Sequence, residues 1–345
     1  MRPIHYGFCA WIPRGCARGA ALAGYHGLTT FAELRMSDLI LHHYPPSPVS
    51  EKIRAALGFK GLAWHSVEQN RLPDRPELFV MTGGYRRIPV LQVGADIYCD
   101  TQLIFRELEA RAPKPSLFPA EHAGLGFALS RWIDGELFEL CVRVAFAPVA
   151  DQLPPALIAD RTSLYFGPDG DMAKEAADLP HTLSQLRTQL GWLEQRLVAG
   201  GTPFLLGDKA GHADLLAWYC YWFVRGRYAD SEAFLAPFPA LGAWAARMEA
   251  FGHGDSTDMT PADALAVALG AQPETAAGVD ATDPLGLSAG AAVSVIPMSR
   301  NDVEKPVEGV LHALSAERVS LARQDAACGE VVVHFPRVGY RVSAG

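Results

Sequence analysis

Between residues 36 and 115, short apolar runs alternate with segments in which an apolar residue recurs every three or four positions. The runs predict strands, and the wider spacing predicts amphipathic helices. In chain order, the predicted elements are a strand at 39–41, a helix from Val49 that ends near Gly58 and Gly61, strands at 64–67, 88–93 and 97–98, and a helix from Asp100. This order predicts a small mixed sheet with helices on both sides.

Residues 116–252 show the helical period throughout. Six leucines from Leu179 to Leu197 step by three or four positions, which predicts a long amphipathic helix. The segment 213–224 is nearly all apolar, which predicts a helix buried on every side. This part of the chain is therefore predicted to be an all-helical domain.

The composition changes after residue 252. Residues 253–282 mix small and polar residues around one weak helix at 262–269, and we interpret them as a linker. Residues 283–345 predict a small separate antiparallel β domain, a barrel or a sandwich, because turn residues separate four apolar runs. The runs lie at 293–296, 310–311, 319–321 and 331–335, and the last one continues into His334-Phe335-Pro336-Arg337, which we interpret as a strand end with one exposed base.

The first 35 residues carry four arginines against a single acid. Pro3 and Pro13 interrupt them, and they contain no continuous apolar stretch of the kind that a secretory signal needs. Met36 directly precedes the first predicted strand. We therefore interpret residues 1–35 as a disordered extension, or as the result of a start assigned too far upstream, without a function of its own.

Composition and charge narrow the class of protein. A chain of 345 residues, 49% hydrophobic and 20% charged, fits two or three globular domains. The net charge of −8, with both signs interspersed, argues against a nucleic-acid partner, because phosphate binding needs a basic face. The six cysteines show no CxxC pair or metal-ligand spacing, and no apolar window is long enough to span a membrane. We expect a cytoplasmic protein without a metal.

The first candidate site is the turn between the first strand and the first helix, which contains Ser47. A helix N-terminus presents free N–H groups and the positive end of the helix dipole, so an anion is stabilised there. The Ser47 hydroxyl could donate a hydrogen bond to a bound thiolate, or it could serve only as an N-cap. Ser50 and Tyr44 are alternative hydroxyls. A cysteine at position 47 would favour disulfide exchange, and its absence favours activation of a substrate's thiol.

Two further candidate sites follow along the chain. A cis bond between Ile88 and Pro89, directly after Arg87, would let the Ile88 backbone pair with an extended peptide ligand, and an edge-strand proline is the alternative. At the next helix start, Thr101 could hold a carboxylate and Asp100 could pair with an amino group, and ordinary capping is the alternative. Each motif is weak alone, and the three are informative because they occur in one fixed order.

In this order the motifs resemble those of the glutathione transferase superfamily, specifically its serine-type members. The segment YPPSPVSEKIRAALGFKGLAW resembles the family's first strand, active-site turn and first helix. The segment GGYRRIPVLQVGADIYCDTQLIFRELE resembles its cis-proline strand, hairpin and third helix. AGHADLLAW resembles its helical capping box, in which Asp214 matches the acid and Gly211 replaces the usual serine or threonine. The resemblance covers about residues 38–250 and implies a thioredoxin-like domain at 36–115 followed by the all-helical domain at 116–252.

The resemblance also implies roles for single residues. Ser47 falls on the serine that stabilises the glutathione thiolate. Ile88-Pro89 falls on the cis-proline pair, and Arg87 takes the place of a basic residue that contacts the tripeptide. Asp100-Thr101 falls on the pair that holds the γ-glutamyl end.

The implied activity is transfer of glutathione, as co-substrate, to an electrophilic small molecule, and the implied assembly is a homodimer. Tyr44, Trp132 and Trp218 are candidates for the second-substrate pocket, together with Phe138 and Trp222. Packing in the helical core is the alternative for the tryptophans and the phenylalanine. The alternative functions are a non-catalytic scaffold that binds glutathione or an apolar ligand, and a glutathione-dependent isomerase or lyase.

Overall fold

The computed structural model describes residues 38–299 and 301–345, and the predicted extension at residues 1–35 lies outside them. The predicted α/β unit is present as a thioredoxin-like arrangement. Its strands are β1 (Ile40–His43), β2 (Ala63–Glu68), β3 (Val90–Val93) and β4 (Asp96–Cys99), and its helices are α1 (Pro48–Lys60), α2 (Pro76–Thr82) and α3 (Thr101–Arg111). Helix α2 was not predicted, because its segment is rich in proline. Pro76 stands at the first helical position, where its missing N–H costs no hydrogen bond.

Helix α1 has clear start and stop signals in the sequence. Ser47 caps its first turn, and Pro48 occupies the first helical position. Gly61 ends the helix with φ of 62°, a left-handed conformation that favours glycine. The signals explain why pattern reasoning placed this helix correctly.

The predicted helical domain is also present. Its helices are α4 (Ala123–Trp132), α5 (Phe138–Phe146), α6 (Pro155–Phe166), α7 (Met172–Ala177), α8 (Leu179–Gly200), α9 (His212–Arg227), α10 (Ser231–Leu235) and α11 (Pro239–Glu249), with a π-helical turn at Ile133–Leu137 and a 3₁₀ turn at Ala147–Gln152. Helix α8 carries the leucine stripe, and α9 is the helix predicted to be buried on every side.

The last part of the chain joins the first sheet rather than forming a barrel or sandwich of its own. Its elements are β5 (Asp255–Asp258), α12 (Pro261–Gly270), β6 (Gly278–Val279), β7 (Ala292–Pro297), β8 (Val307–Leu314), β9 (Arg318–Asp325), β10 (Gly329–Pro336) and β11 (Tyr340–Ala344). In the described chain, one sheet has the order β11-β7-β8-β9-β10-β4-β3-β1-β2-β5, with β6 beside β8. The antiparallel pairing among β7 to β10 was expected, and its continuity with the thioredoxin-like sheet was not.

Two parallel pairings attach this part of the chain. Strand β10 pairs with β4, with Val333 opposite Ile97, and β5 pairs with β2 on the far side of the sheet. Residues 253–282 are therefore not a linker, since they carry two strands of the sheet and a helix that packs on it. The run at 331–335 is buried along its whole length, as expected for a strand covered on both faces.

Helices cover the two faces of the sheet and form two large hydrophobic cores, beside a small third cluster of Ile40, Val67 and Ala264. On one face, α1 and α3 share a core with the helical domain. On the other, α2 and α12 share a core with β3, β4 and the late strands (β6 to β11 with the turns between them), in which Met81, Ile97 and Val333 are fully buried. The late strands thus complete a core that begins in the thioredoxin-like part.

Candidate active site

A cavity of about 520 Å³ collects the residues that the sequence singled out. It opens beside the start of α1 and is walled by the thioredoxin-like part, the helical domain and the late strands. The predicted residues that line it are Tyr44, Ser47, Arg87, Ile88, Pro89, Asp100 and Thr101. Three separate chain segments therefore contribute to one site.

Ser47 stands at the N-terminus of α1 in an extended conformation, with φ of −73° and ψ of 121°. Its Oγ accepts a hydrogen bond of 3.1 Å from the backbone N–H of Ser50. Since this bond uses a lone pair, the hydroxyl proton stays available to donate into the cavity. The N-cap role and a thiolate-binding role are thus compatible in one side chain.

The two alternative hydroxyls have different surroundings. The Oγ of Ser50 is buried, has no hydrogen-bond partner in the described chain and belongs to a residue outside the cavity lining. The Tyr44 hydroxyl lines the cavity and accepts a hydrogen bond of 3.1 Å from Nη2 of Arg161. Of the two serines, therefore, only Ser47 is placed to meet a ligand.

The Ile88–Pro89 bond is cis, as expected, and leads directly into β3. Arg87, which the resemblance places against the tripeptide, has a partner within the chain itself. Its guanidinium makes a two-pronged ion pair with Glu304, in which Nη2 lies 2.7 Å from Oε2. Glu304 also accepts hydrogen bonds from Ser299 and Asn301, and these bonds together with Arg87 hold the pKa of its carboxyl below the usual range although burial acts the other way. The Arg87 guanidinium is therefore already paired with a carboxylate before any ligand binds.

Asp100 and Thr101 begin α3 as predicted. Asp100 has φ of 72°, and its Oδ1 accepts a hydrogen bond of 2.9 Å from the N–H of Gln102. Its Oδ2 accepts a second bond, of 3.0 Å, from the hydroxyl of Tyr340 at the start of β11. Sequence reasoning did not find this contact, because Tyr340 lies in a strand that the pattern did not predict.

Lys52, Asp134 and Tyr219 also line the cavity and were missed as well. Lys52 Nζ lies 2.8 Å from Oδ1 of Asp134, which also accepts a bond of 2.8 Å from the Tyr219 hydroxyl. Lys52 is one turn into α1 from Ser47, and its charge adds to the positive end of that helix. No local sequence motif identifies these three residues, because they lie in three different elements: α1, the π-helical turn and α9.

The aromatic candidates divide between the cavity and the core. Phe138 lines the cavity, as does Tyr44. Trp132 and Trp218 are not among the lining residues of the described chain, and neither is Trp222. Trp218 is buried and donates to Oε1 of Glu51 at 3.0 Å, while Trp132 donates to Oε1 of Gln189 at 2.8 Å. Both indoles therefore pack in the core shared with the helical domain, and their N–H groups donate to acceptors in α1 and α8.

The cavity carries more basic than acidic side chains although the whole chain is acidic. Among the described lining residues, six are basic (Lys52, Arg75, Arg86, Arg87, Arg131 and Arg161) and three are acidic (Asp100, Asp134 and Glu139). The buried Arg75 donates only to backbone carbonyls, and burial lowers its pKa to about 10. Among the described residues, carboxylates pair with Lys52, Arg86, Arg87 and Arg161, so the positive charge available to an anionic ligand comes from Arg75 and Arg131.

In the part of the chain that the structure describes, no three His, Cys, Asp or Glu side chains are grouped to hold a metal ion. None of the helices described there is long and apolar enough to cross a bilayer.

Two family models match the chain. The model described as glutathione S-transferase, N-terminal domain, matches residues 41–116, and the one described as glutathione S-transferase, C-terminal domain, matches residues 175–247. No curated protein matches the chain.

Several solved structures are similar. A GST-like protein from Pseudomonas syringae is 34% identical, with 90% of this chain and 100% of that chain covered and a TM-score of 0.73. Since residues 1–282 make up less than 90% of this chain, the match extends into the late strands. A glutathione S-transferase from Rhodospirillum rubrum is 21% identical over 61% of this chain and 87% of that one, with a TM-score of 0.47. A glutathione S-transferase from Methylobacterium radiotolerans, in complex with glutathione sulfonate, is 19% identical. The match covers 65% of this chain and 98% of that chain, with a TM-score of 0.45.

Proposed function

Since the chain belongs to the glutathione S-transferase family, we propose that it binds glutathione in the cavity beside Ser47 and activates its thiol as a thiolate. The thiolate then attacks an electrophilic carbon of a small molecule held against Tyr44 and Phe138. A new C–S bond forms, the leaving group departs with its electron pair, and the thiol proton passes to solvent.

The observation that carries this proposal is the placement of the Ser47 hydroxyl. Its proton is free to donate at the mouth of α1, and Ile88-Pro89 and Asp100-Thr101 lie on the wall of the same cavity. A free thiol has a pKa of about 8.5, and lowering it by about two units requires about 2.7 kcal/mol in favour of the anion. A hydrogen bond to a charged group contributes about 1.5–3 kcal/mol and a helix dipole about 0.3–1 kcal/mol. Their sum, about 1.8–4 kcal/mol, brackets the required amount.

The charge of the cavity supports the same ligand. Glutathione carries two carboxylates and one ammonium group, so it is an anion at neutral pH. Arg75 and Arg131 on the lining favour such a ligand, and the Asp100 carboxylate offers a partner for its ammonium group. Binding both reactants in one cavity also makes the transfer step effectively unimolecular.

The test is to replace Ser47 and to follow both the thiol and the reaction. In Ser47→Ala, kcat/KM with an activated aryl chloride should fall about tenfold or more, because one hydrogen bond to the anion is lost. The ultraviolet absorbance of the thiolate in the glutathione complex should appear only at higher pH, because the pKa of the bound thiol rises. Ser47→Gly should lose activity to the same extent as Ser47→Ala. Because glycine is nearly as good an N-cap as serine, within a few tenths of a kcal/mol, its loss of activity cannot be attributed to a weakened helix cap.

Ser50→Ala is the matched control, since its hydroxyl lies three residues away and outside the cavity. It should retain the activity of the wild type. Full activity of both Ser47 variants would contradict the assignment of Ser47 and turn attention to Tyr44. Glutathione binding by the wild type without a shift in the thiol pKa would favour the non-catalytic binding protein instead.

A further inference from the structure

The late strands supply part of the cavity wall, although the sequence pattern suggested a separate domain. Met298, Ser299, Gly339 and Tyr340 line the cavity on the side of Asp100 and Arg87. Two contacts from this part of the chain, Tyr340 with Asp100 and Glu304 with Arg87, reach residues for which glutathione binding was expected. This placement raises the question of what the late strands do for the ligand.

A chain of hydroxyl groups runs from the α2–β3 connection to Asp100. The Tyr85 hydroxyl lies 2.8 Å from that of Tyr340, which lies 3.0 Å from Oδ2 of Asp100. A carboxylate only accepts hydrogen bonds, so Tyr340 donates to Asp100, and Tyr85 must donate to Tyr340. Both tyrosines are buried, and burial together with the Asp100 charge raises their pKa values well above the usual range, so both remain donors.

The Asp100 carboxylate is therefore held at both oxygens. The Gln102 N–H fixes Oδ1 and the Tyr340 hydroxyl fixes Oδ2. Each oxygen keeps a lone pair for a further donor, and the carboxylate lines the cavity. A carboxylate that is oriented in advance loses less entropy when it takes an ammonium group.

We propose that Tyr340 is a positioning residue for ligand binding: it orients the Asp100 carboxylate to accept a hydrogen bond from the α-amino group of glutathione. The inference rests on the proposed function, because it concerns the same ligand. It assigns the late strands a part in the site, through β11. The ion pair between Glu304 and Arg87 is a second contact of this kind, on the neighbouring wall.

The experiment measures the dissociation constants of two ligands by titration calorimetry. One is glutathione, and the other is the analogue in which a glutaryl group replaces the γ-glutamyl group, so that only the α-amino group is missing. Tyr340→Phe keeps the ring that packs 5.6 Å from Phe335 and removes only the hydroxyl. It should weaken glutathione binding about three- to tenfold and leave binding of the analogue unchanged.

Two further variants complete the design. Tyr85→Phe keeps the bond between Tyr340 and Asp100 and should weaken glutathione binding by a smaller factor than Tyr340→Phe. It tests the inference if Tyr340→Phe does not fold. Glu317→Gln breaks a contact of the late strands with Arg106 outside the cavity and should change neither ligand's affinity.

The outcomes that overturn the inference are distinct. An equal loss for both ligands in Tyr340→Phe would mean a general structural role. Unchanged or tighter binding of glutathione would mean that Tyr340 does not assist, or competes with, the ligand. Each result leaves the proposed function standing, provided that the wild type binds glutathione. Absence of glutathione binding by the wild type would overturn both.

Discussion

At the scale of single residues, Asp214 supplies the acidic half of a capping box whose other half is missing. Gly211 stands where the family motif has a serine or threonine, so the cap has no side-chain acceptor there. Asp214 is 1% exposed and accepts three hydrogen bonds, from the N–H groups of Leu205 and Gly211 and from the Trp244 indole, at 2.8–3.1 Å. Burial raises the pKa of its carboxyl despite these bonds. It ties α9 to α11 and to the preceding loop.

We therefore expect Asp214→Ala to cost about 3 kcal/mol or more of unfolding free energy, because three buried donors lose their acceptor. Asp214→Asn should cost less, since its amide oxygen still accepts. Urea unfolding followed by circular dichroism measures both. Asp208→Ala, at an exposed position nearby, should stay within about 0.5 kcal/mol of the wild type. A loss as small for Asp214→Ala would contradict this account.

At the scale of elements, the junction between β4 and β10 attaches the late strands. His334 is fully buried between Ser320 and Asp96, with both ring nitrogens 2.8 Å from their oxygens, and it stacks on Tyr98. Burial lowers the pKa of His334, so the neutral ring donates from Nε2 to the carboxylate and accepts from the serine at Nδ1. The segment interpreted as a strand end with one exposed base therefore contains a buried link between two parts of the sheet.

A chain that ends at residue 282 should consequently fail to form a stable monomer. Truncation exposes the β4 edge and uncovers the core shared by α2 and α12, in which Leu78 and Met81 are fully buried. Size-exclusion chromatography and binding of a hydrophobic dye would detect the expected aggregation. A soluble truncated chain with cooperative unfolding would show that the late strands are an independent domain after all.

At the scale of the whole molecule, several buried histidines make stability depend on pH. Burial lowers the pKa of His42 to about 4 and that of His212 to about 3. Burial and the charge of Arg54 lower that of His43 to about 3. Below pH of about 6.5 these histidines take up protons when unfolded but stay neutral when folded. The unfolded state then binds more protons than the folded state, so the unfolding free energy decreases as the pH decreases.

The unfolding free energy should thus drop as the pH falls from about 6.5 towards 4, by up to about 1.4 kcal/mol per pH unit for each such histidine. His212→Phe is the sharpest check, because His212 packs among phenylalanines and its Nδ1 has no described partner. Denaturation at pH 7.5 and pH 5 should show a shallower pH dependence for this variant. An identical dependence would mean that His212 does not contribute.

Much of the fold could be predicted because its signals are local. The caps of α1, the leucine stripe of α8 and the apolar run of β10 each lie within one short segment of sequence. Helix α2 and strand β11 could not be predicted in this way, since prolines obscure the first and the second has only weak alternation of apolar positions. The candidate site was predicted through motifs at two helix starts and one strand start, whereas Lys52, Asp134 and Tyr219 have no such motif.

Local sequence patterns therefore specify the helices and strands with strong periodicity, the family, and the three segments that meet at the cavity. Tertiary structure alone decided where residues 283–345 lie, that Arg87 pairs with Glu304, and that Tyr340 contacts Asp100. The physical reason is distance along the chain. Hydrogen bonds such as that between Asp96 and His334, 238 positions apart, depend on how sheets and cores are completed, and no local pattern encodes them.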